Sequence, residues 1–301
     1  MHGYEQAGAH GHHVNVVAFS PLYPLAYRAV STLPGPMTLW GSLLSTLLFG
    51  WALCALYDLG LRTLSRETTR RAVLYLAICP LSFVFSLPYS ESLFLALVVG
   101  AFVFIAAGRT RAACALAALA VLTRPIGIAL VPAVAWHIHR TKPPLRAYLP
   151  LLLPVAAQVA FFAYLGIHTG DPLAPLHAQQ HGWHRSISIL PIVFIHALWP
   201  GSLGAVVDVT FTLLWCGLFL HAWCMRLPGE YLIFAALAIV IPTSAGTLLS
   251  IGRFGLVAFP LFWALAHLGA SPRIDTAVKV TFPILLATFI FLTYTTTTLT
   301  P

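Results

Sequence analysis

Long apolar runs separated by short polar turns dominate this chain, and they constrain it more than any other feature. They fall at 37–60, 72–88, 91–108, 112–123, 126–138, 147–166, 203–224, 231–249, 255–269 and 278–296. A helix needs about 20 apolar residues to cross a hydrocarbon core, and most of these runs come near that length. Composition agrees: 59% of residues are hydrophobic, 8% are charged, and the mean hydropathy is +0.88. An average soluble domain is about a quarter charged. So few polar side chains cannot cover a surface in water, and lipid is the solvent this chain is written for. The expected fold class is an all-α polytopic membrane protein with about ten transmembrane helices. We read residues 1–301 as one such domain, with an extracytoplasmic segment at 1–36, partly amphipathic, and a large extracytoplasmic loop at 167–202.

The runs at 112–123 and 126–138 are too short to cross alone at about 1.5 Å rise per residue. They flank "LTRPIG", where Pro125 lacks a backbone donor and favours a break. Short helices of this kind border a cavity lined by water or protein. The net charge of +8 does not point to nucleic acid, because the basic residues sit at the ends of apolar runs rather than on one face. Placing the loops 61–71, 109–111, 139–146, 225–230 and 270–279 in the cytoplasm gathers twelve Lys and Arg residues there. The other side keeps Arg28, Arg124, Arg185 and Arg253. Excess positive charge marks the cytoplasmic side. The expected location is the cell membrane, multi-pass, with the N-terminus of the chain extracytoplasmic. The first residues show no basic segment followed by an apolar run, the mark of a signal peptide. Cys54, Cys79, Cys114, Cys216 and Cys224 lie in or beside apolar runs without a CxxC, and read as small buried hydrophobes.

The four outward arginines carry the chemistry. Each stands beside a turn, in "LAYRAVS", "LTRPIG", "GWHRSIS" and "SIGRFG". Guanidinium offers a rigid set of donors matched to phosphate oxygens, and charges at membrane depth mark functional sites. A snorkelling or carbonyl-bound role is the alternative for each of them. Arg124 and Arg253 interrupt apolar stretches, which favours function. The outward acids are Glu5, Glu91 and Asp171, with Asp208 near a helix start. Glu91, in "SLPYSESLF", suits the positive end of a helix dipole. Asp171 stands between Gly170 and Pro172, in a turn where it caps the succeeding segment. His10, His12 and His13, and His177, His181 and His184, cluster in sequence. We assign no metal, since such sites want a fixed carboxylate or thiolate partner as well. There is no Walker loop, GxGxxG or HExxH.

Five blocks resemble the GPI mannosyltransferase II (PIG-V-like) family and its bacterial relatives. They are "FSPLYPLAYR" at 19–28, "CPLSFVFSLPYSESLF" at 79–94, "ALAALAVLTRPIGIAL" at 115–130, "GDPLAPLHAQQHGW" at 170–183 and "LLSIGRFGLVAFPLFWALA" at 248–266. They stand in family order, although the family more often has Tyr where Phe254 stands. The resemblance implies a GT-C type glycosyltransferase membrane domain. It implies a polyprenyl-phosphate sugar donor, usually mannose, a lipid- or glycan-linked acceptor, and inverting transfer on the extracytoplasmic side. No further cofactor and no nucleic acid are implied. The matching positions make Arg124 and Arg253 the donor phosphate-binding residues, and the outward Arg185, just beyond the fourth block, is added to them. Tyr23, Tyr89, Ser90 and Gln179 become the substrate pocket, with Glu91 and Asp171 as catalytic carboxylates. The family also opens with a first span and a Trp-Asp loop whose Asp is the expected general base. The "MHGY" start resembles only the end of that motif, so the expected base lies upstream of Met1. A non-catalytic membrane scaffold or pseudoenzyme is the alternative. A transporter is disfavoured, since no charged series crosses the midplane.

Overall fold

The structure, a computed structural model, describes residues 5–7, 13–15, 19–142, 144–183 and 203–295. Two short strands, β1 (Glu5–Ala7) and β2 (His13–Asn15), pair antiparallel with Glu5 opposite Asn15. Everything else described is helix and turn. In order come α1 (Leu22–Val30), α2 (Met37–Gly60), α3 (Arg66–Ile78), α4 (Glu91–Ala106), α5 (Thr110–Thr123), α6 (Leu130–Arg140), α7 (Leu152–Thr169) and α8 (Ala174–Trp183). After these come α9 (Leu203–Cys224), α10 (Gly229–Thr243), α11 (Ile251–Leu256), α12 (Pro260–Leu268) and α13 (Pro272–Thr295).

Prolines decide how the apolar runs divide. Among the described residues, four helical stretches are long and apolar enough to cross a membrane unaided: Met37–Gly60, Leu145–Thr169, Gly204–Cys224 and Pro272–Thr295. The remaining runs become shorter pieces. The run expected at 72–88 is cut where Pro80 forces Cys79 extended (ψ 142°), so α3 ends and a 3₁₀ turn takes over at Ser82–Ser86. The run at 126–138 opens as a 3₁₀ turn, Pro125–Ala129, before α6 begins. The run at 255–269 is broken after Leu256 and restarts with Pro260 at the first position of α12.

The long helices are the outer ones. α7 and α13 expose Leu153, Val159, Ile284, Leu285 and Phe291, the surface expected to face lipid chains. Short helices such as α4 and α12 lie inside. Residues Pro260 to Ala266 of α12 are all buried, and this helix packs on α3 and α9. A helix apolar on every side is a buried one. Phe102 of α4, Tyr231 and Phe234 of α10, and Phe259 and Trp263 around α12 interlock, with ring centroids 4.9–6.2 Å apart. Such pairs add about 0.5–1.5 kcal/mol each beyond area burial.

The loops read as cytoplasmic meet one another at one end of the bundle. Asp275 accepts hydrogen bonds from the Tyr75 hydroxyl (2.6 Å) and Lys279 (2.7 Å), and Arg71 lies 3.9 Å from it. Glu230 similarly joins Arg140 (3.4 Å) and His137 (3.3 Å).

Gly127 sits in the tightest backbone crossing near the functional end. A β-carbon there would meet Val121 N at 2.5 Å and Ala120 C at 2.6 Å, backbone atoms that cannot rotate away. Gly127→Ala therefore separates the Pro125–Ala129 turn from α5. We expect a loss of about 1–3 kcal/mol, read as a lower thermal midpoint in detergent.

Candidate active site

The site grows from three chain breaks at the other end of the bundle. At the first, Pro88 comes after the 3₁₀ turn and the chain restarts as α4 at Glu91. Ser92 Oγ ties this start to the Phe85 carbonyl at 2.7 Å. Glu91 stands in the first turn, where the N-terminal amides favour an anion, yet it is only 2% exposed. At the second break, Pro125 forces Arg124 out of helix, to φ −151° and ψ 136°. The extended residue swings its side chain away from the α5 axis and toward the start of α4.

The third break is "SIGRFG". Ser250 adopts a left-handed conformation (φ 63°), uncommon for a residue with a side chain. A β-carbon on Gly252 would meet Leu81 and Phe211, and one on Gly255 would strike the buried Trp215 ring. Both glycines thus let α11 lie flat against α9, leaving Arg253 and Phe254 to face the other way.

The three breaks converge on one carboxylate oxygen. Arg124 Nη1 lies 2.5 Å from Glu91 Oε1, and Arg253 Nε lies 3.0 Å from the same atom. The Arg253 approach is an ion pair set off the hydrogen-bond direction, since its buried Nε has no hydrogen-bond acceptor. Arg124 Nη1 also donates to Ser90 Oγ at 3.4 Å. Aromatic faces complete the cradle. Arg124 lies over the Phe254 ring (4.9 Å), and Arg253 lies over Tyr89 (5.4 Å) and Phe254 (5.6 Å). Cations held on ring faces keep their N–H edges directed elsewhere.

Tyr23 of α1 reaches the same region. Its hydroxyl shares a 2.9 Å hydrogen bond with Ser45, and burial pushes its pKa up to about 12, with the Glu91 charge acting in the same direction. Tyr23 therefore keeps its proton at neutral pH.

One acid here carries more weight than its sequence position indicated. Asp208 of α9 lies near the backbone N–H groups of Ser250 and Ile251 and in the field of Arg253. The left-handed Ser250 opens α11, and the Ile251 N–H closes that turn on the Leu248 carbonyl at 2.9 Å. Asp208 thus stands beside the start of the helix that carries Arg253. Reading it as a helix-start acid missed this placement, because its neighbours lie some forty positions downstream.

The expected residues divide into separate groups. Tyr23, Tyr89, Ser90, Glu91, Arg124 and Arg253 come together. Asp171 belongs elsewhere: its carboxylate caps Leu173 N (2.9 Å) and pairs with His177 Nδ1 (2.7 Å). That hydrogen bond holds Asp171 below the usual carboxylate range. Gln179 is half-buried on α8, a helix that packs on α7 and β2. Arg185 lies outside the described residues, as do His10, His12 and His184. No group of three His, Cys, Asp or Glu among the described residues is placed to hold a metal ion.

The fold is similar to that in a crystal structure of ArnT from Cupriavidus metallidurans bound to undecaprenyl phosphate. The TM-score is 0.60 at 17% identity, over 94% of this chain and 56% of that one. No family model matches the chain, and no curated protein matches it in sequence. The chain spans little more than half the length of that protein, and the likeness establishes its fold: an all-α membrane architecture like that of ArnT.

Glu91→Gln tests the electrostatic reading. The change is nearly isosteric but leaves two guanidiniums facing each other without their shared anion. We expect a loss of about 3–5 kcal/mol, measured as a fall in thermal midpoint. Adding Arg124→Met should recover part of it, since one uncompensated charge is then removed.

Proposed function

We propose that this chain is the membrane part of a glycosyltransferase that takes its sugar from a polyprenyl-phosphate donor on the extracytoplasmic side. The observation that carries the proposal is the pair of part-buried arginines sharing one oxygen of the buried Glu91 carboxylate. Two cations against one anion leave a positive excess, and the guanidinium edges not used by Glu91 are available to a phosphate. The ArnT structure with undecaprenyl phosphate supports a lipid phosphate as the ligand. The resemblance to the PIG-V-like blocks, which contain these arginines, supports mannose as the sugar and a lipid- or glycan-linked acceptor.

The charge arithmetic suits this chemistry. A polyprenyl-phosphate sugar is a phosphodiester with one negative charge. As an acceptor oxygen bonds to the anomeric carbon, the bond from that carbon to the phosphate oxygen breaks. The electron pair passes to the phosphate, which becomes a monoester with a second charge. Arg124 and Arg253 are already positioned where that charge grows, so little reorganisation is required during the step. Glu91 then serves to align both cations. Its Oε1 already faces two cations through ion pairs, which weakens it as the proton acceptor.

The acceptor hydroxyl's proton needs another base. Asp171 is an ionised carboxylate beside His177 and is half-exposed. The family resemblance instead points to the Asp of a Trp-Asp loop.

The test is transfer of mannose from a polyprenyl-phosphate mannose in proteoliposomes, run alongside donor binding. Arg124→Lys and Arg253→Lys keep the charge but lose the fork, and each should lower transfer by about 10²–10³-fold. Wild-type-like transfer in both variants would exclude the phosphate role. Asp171→Asn decides the base: lost transfer with intact donor binding assigns the proton to Asp171, and unchanged transfer assigns it to another carboxylate. Donor binding without any transfer would favour the scaffold or pseudoenzyme reading.

A further inference from the structure

The end of the bundle opposite the arginine site holds a second basic feature. The ends of α2, α9 and α12 enclose an open cavity of about 680 Å³. Arg62, Thr63, His221, Arg226 and His267 are among its walls, and no carboxylate lines it. Along α9, Asp208 of the arginine site and Cys224 of this cavity are separated by roughly 24 Å at 1.5 Å per residue. The two sites cannot share one headgroup.

Three observations point to an anionic ligand. First, neither Arg62 nor Arg226 is ion-paired among the described residues, whereas Arg71, Arg140 and Lys279 at the same end all face carboxylates. Second, His221 Nε2 and His267 Nδ1 share a 3.1 Å hydrogen bond, which puts two imidazoles at one wall. Third, Arg226 occupies a backbone position suited to glycine. Its φ is 54°, and the turn closes with Arg226 N on the Trp223 carbonyl (2.9 Å) and Leu227 N on the Ala222 carbonyl (3.4 Å). This is the double hydrogen bond of a Schellman helix end, whose left-handed residue is most often glycine. Here that strained position presents a guanidinium at the cavity.

The surroundings identify the ligand's other half. On α9, one turn or less from the cavity, Leu220 and Trp223 are each 64% exposed, and Leu61 beside Arg62 is 44% exposed. Aliphatic surface there suits acyl chains, and an exposed Trp at a helix end suits the headgroup level. A soluble anion would use the basic groups but not this apolar flank.

We propose that the cavity binds the headgroup of an anionic phospholipid. Arg62 and Arg226 hold the phosphate, the histidine pair lines the wall behind it, and the acyl chains run along Leu220 and Trp223. Basic pockets between transmembrane helices are a general mode of headgroup recognition. The inference is independent of the transferase reading.

Native mass spectrometry of the purified protein in detergent tests it, with phosphatidylglycerol, phosphatidylcholine or inorganic phosphate added. We expect retention of phosphatidylglycerol over phosphatidylcholine by about tenfold, the effect of one charge-assisted contact. Arg62→Gln with Arg226→Gly should abolish that preference. Arg226→Gly relaxes the turn, so its thermal midpoint in lipid-free detergent should equal or exceed that of the wild type, which separates lost binding from lost folding. Equal retention of the two lipids, or a preference that survives both substitutions, would overturn the proposal. So would displacement of phosphatidylglycerol by millimolar inorganic phosphate, which would mark a soluble-anion site.

Discussion

Glu91 Oε1 is the point on which the functional end of this protein depends. Two arginines from distant parts of the chain meet it in a place with almost no water contact. Burying any one of the three charges alone would be costly, and the mutual arrangement offsets that cost only while all three hold position. Much of the local architecture serves that requirement. Pro125 sets Arg124 extended, the two glycines of "SIGRFG" let α11 lie on α9, and the left-handed Ser250 sets where α11 starts. Tyr89 and Phe254 then hold the cations by their faces.

The bundle separates two kinds of work. Long, lipid-facing helices such as α13 supply the crossing, while short buried ones such as α12 supply the packing. Chain breaks tolerated in the interior are what deliver polar side chains to membrane depth. Irregular backbone survives there because its polar groups are satisfied locally: the Arg124 N–H bonds the Ala120 carbonyl of its own helix, α5, at 2.9 Å, and the Gly127 N–H bonds the Arg124 carbonyl at 2.9 Å.

How much could be read from the residues alone varies with the range of the interaction. Arg124 was legible because its neighbour Pro125 announces a break, and Arg253 because two glycines frame it. Glu91 was legible as a helix-start acid, but its engagement with both arginines was not, since that contact joins three separate regions of the chain. Asp208 was missed for the same reason: its neighbours are backbone amides far along the sequence. Apolar runs showed that the chain is an all-α membrane protein. They overstated the number of full-length helices, because hydropathy is blind to where Pro80 or Pro260 divides a run. Arg185 lies outside the described residues, so its place beside the other arginines rests on the sequence.

The convergence on Glu91 also imposes an order on biogenesis. Glu91 and Arg124 belong to the α4–α5 hairpin, so the nascent chain can enter the bilayer with a neutral pair rather than a lone anion. Arg253 emerges later than Arg124, after roughly 6 to 26 further seconds of synthesis at about 5–20 residues per second. During that interval the early half carries a settled ion pair. The third charge then has to displace part of it to take its place. The arginine cluster is thus completed late, and its completion reports that α11 has docked on the early half of the bundle.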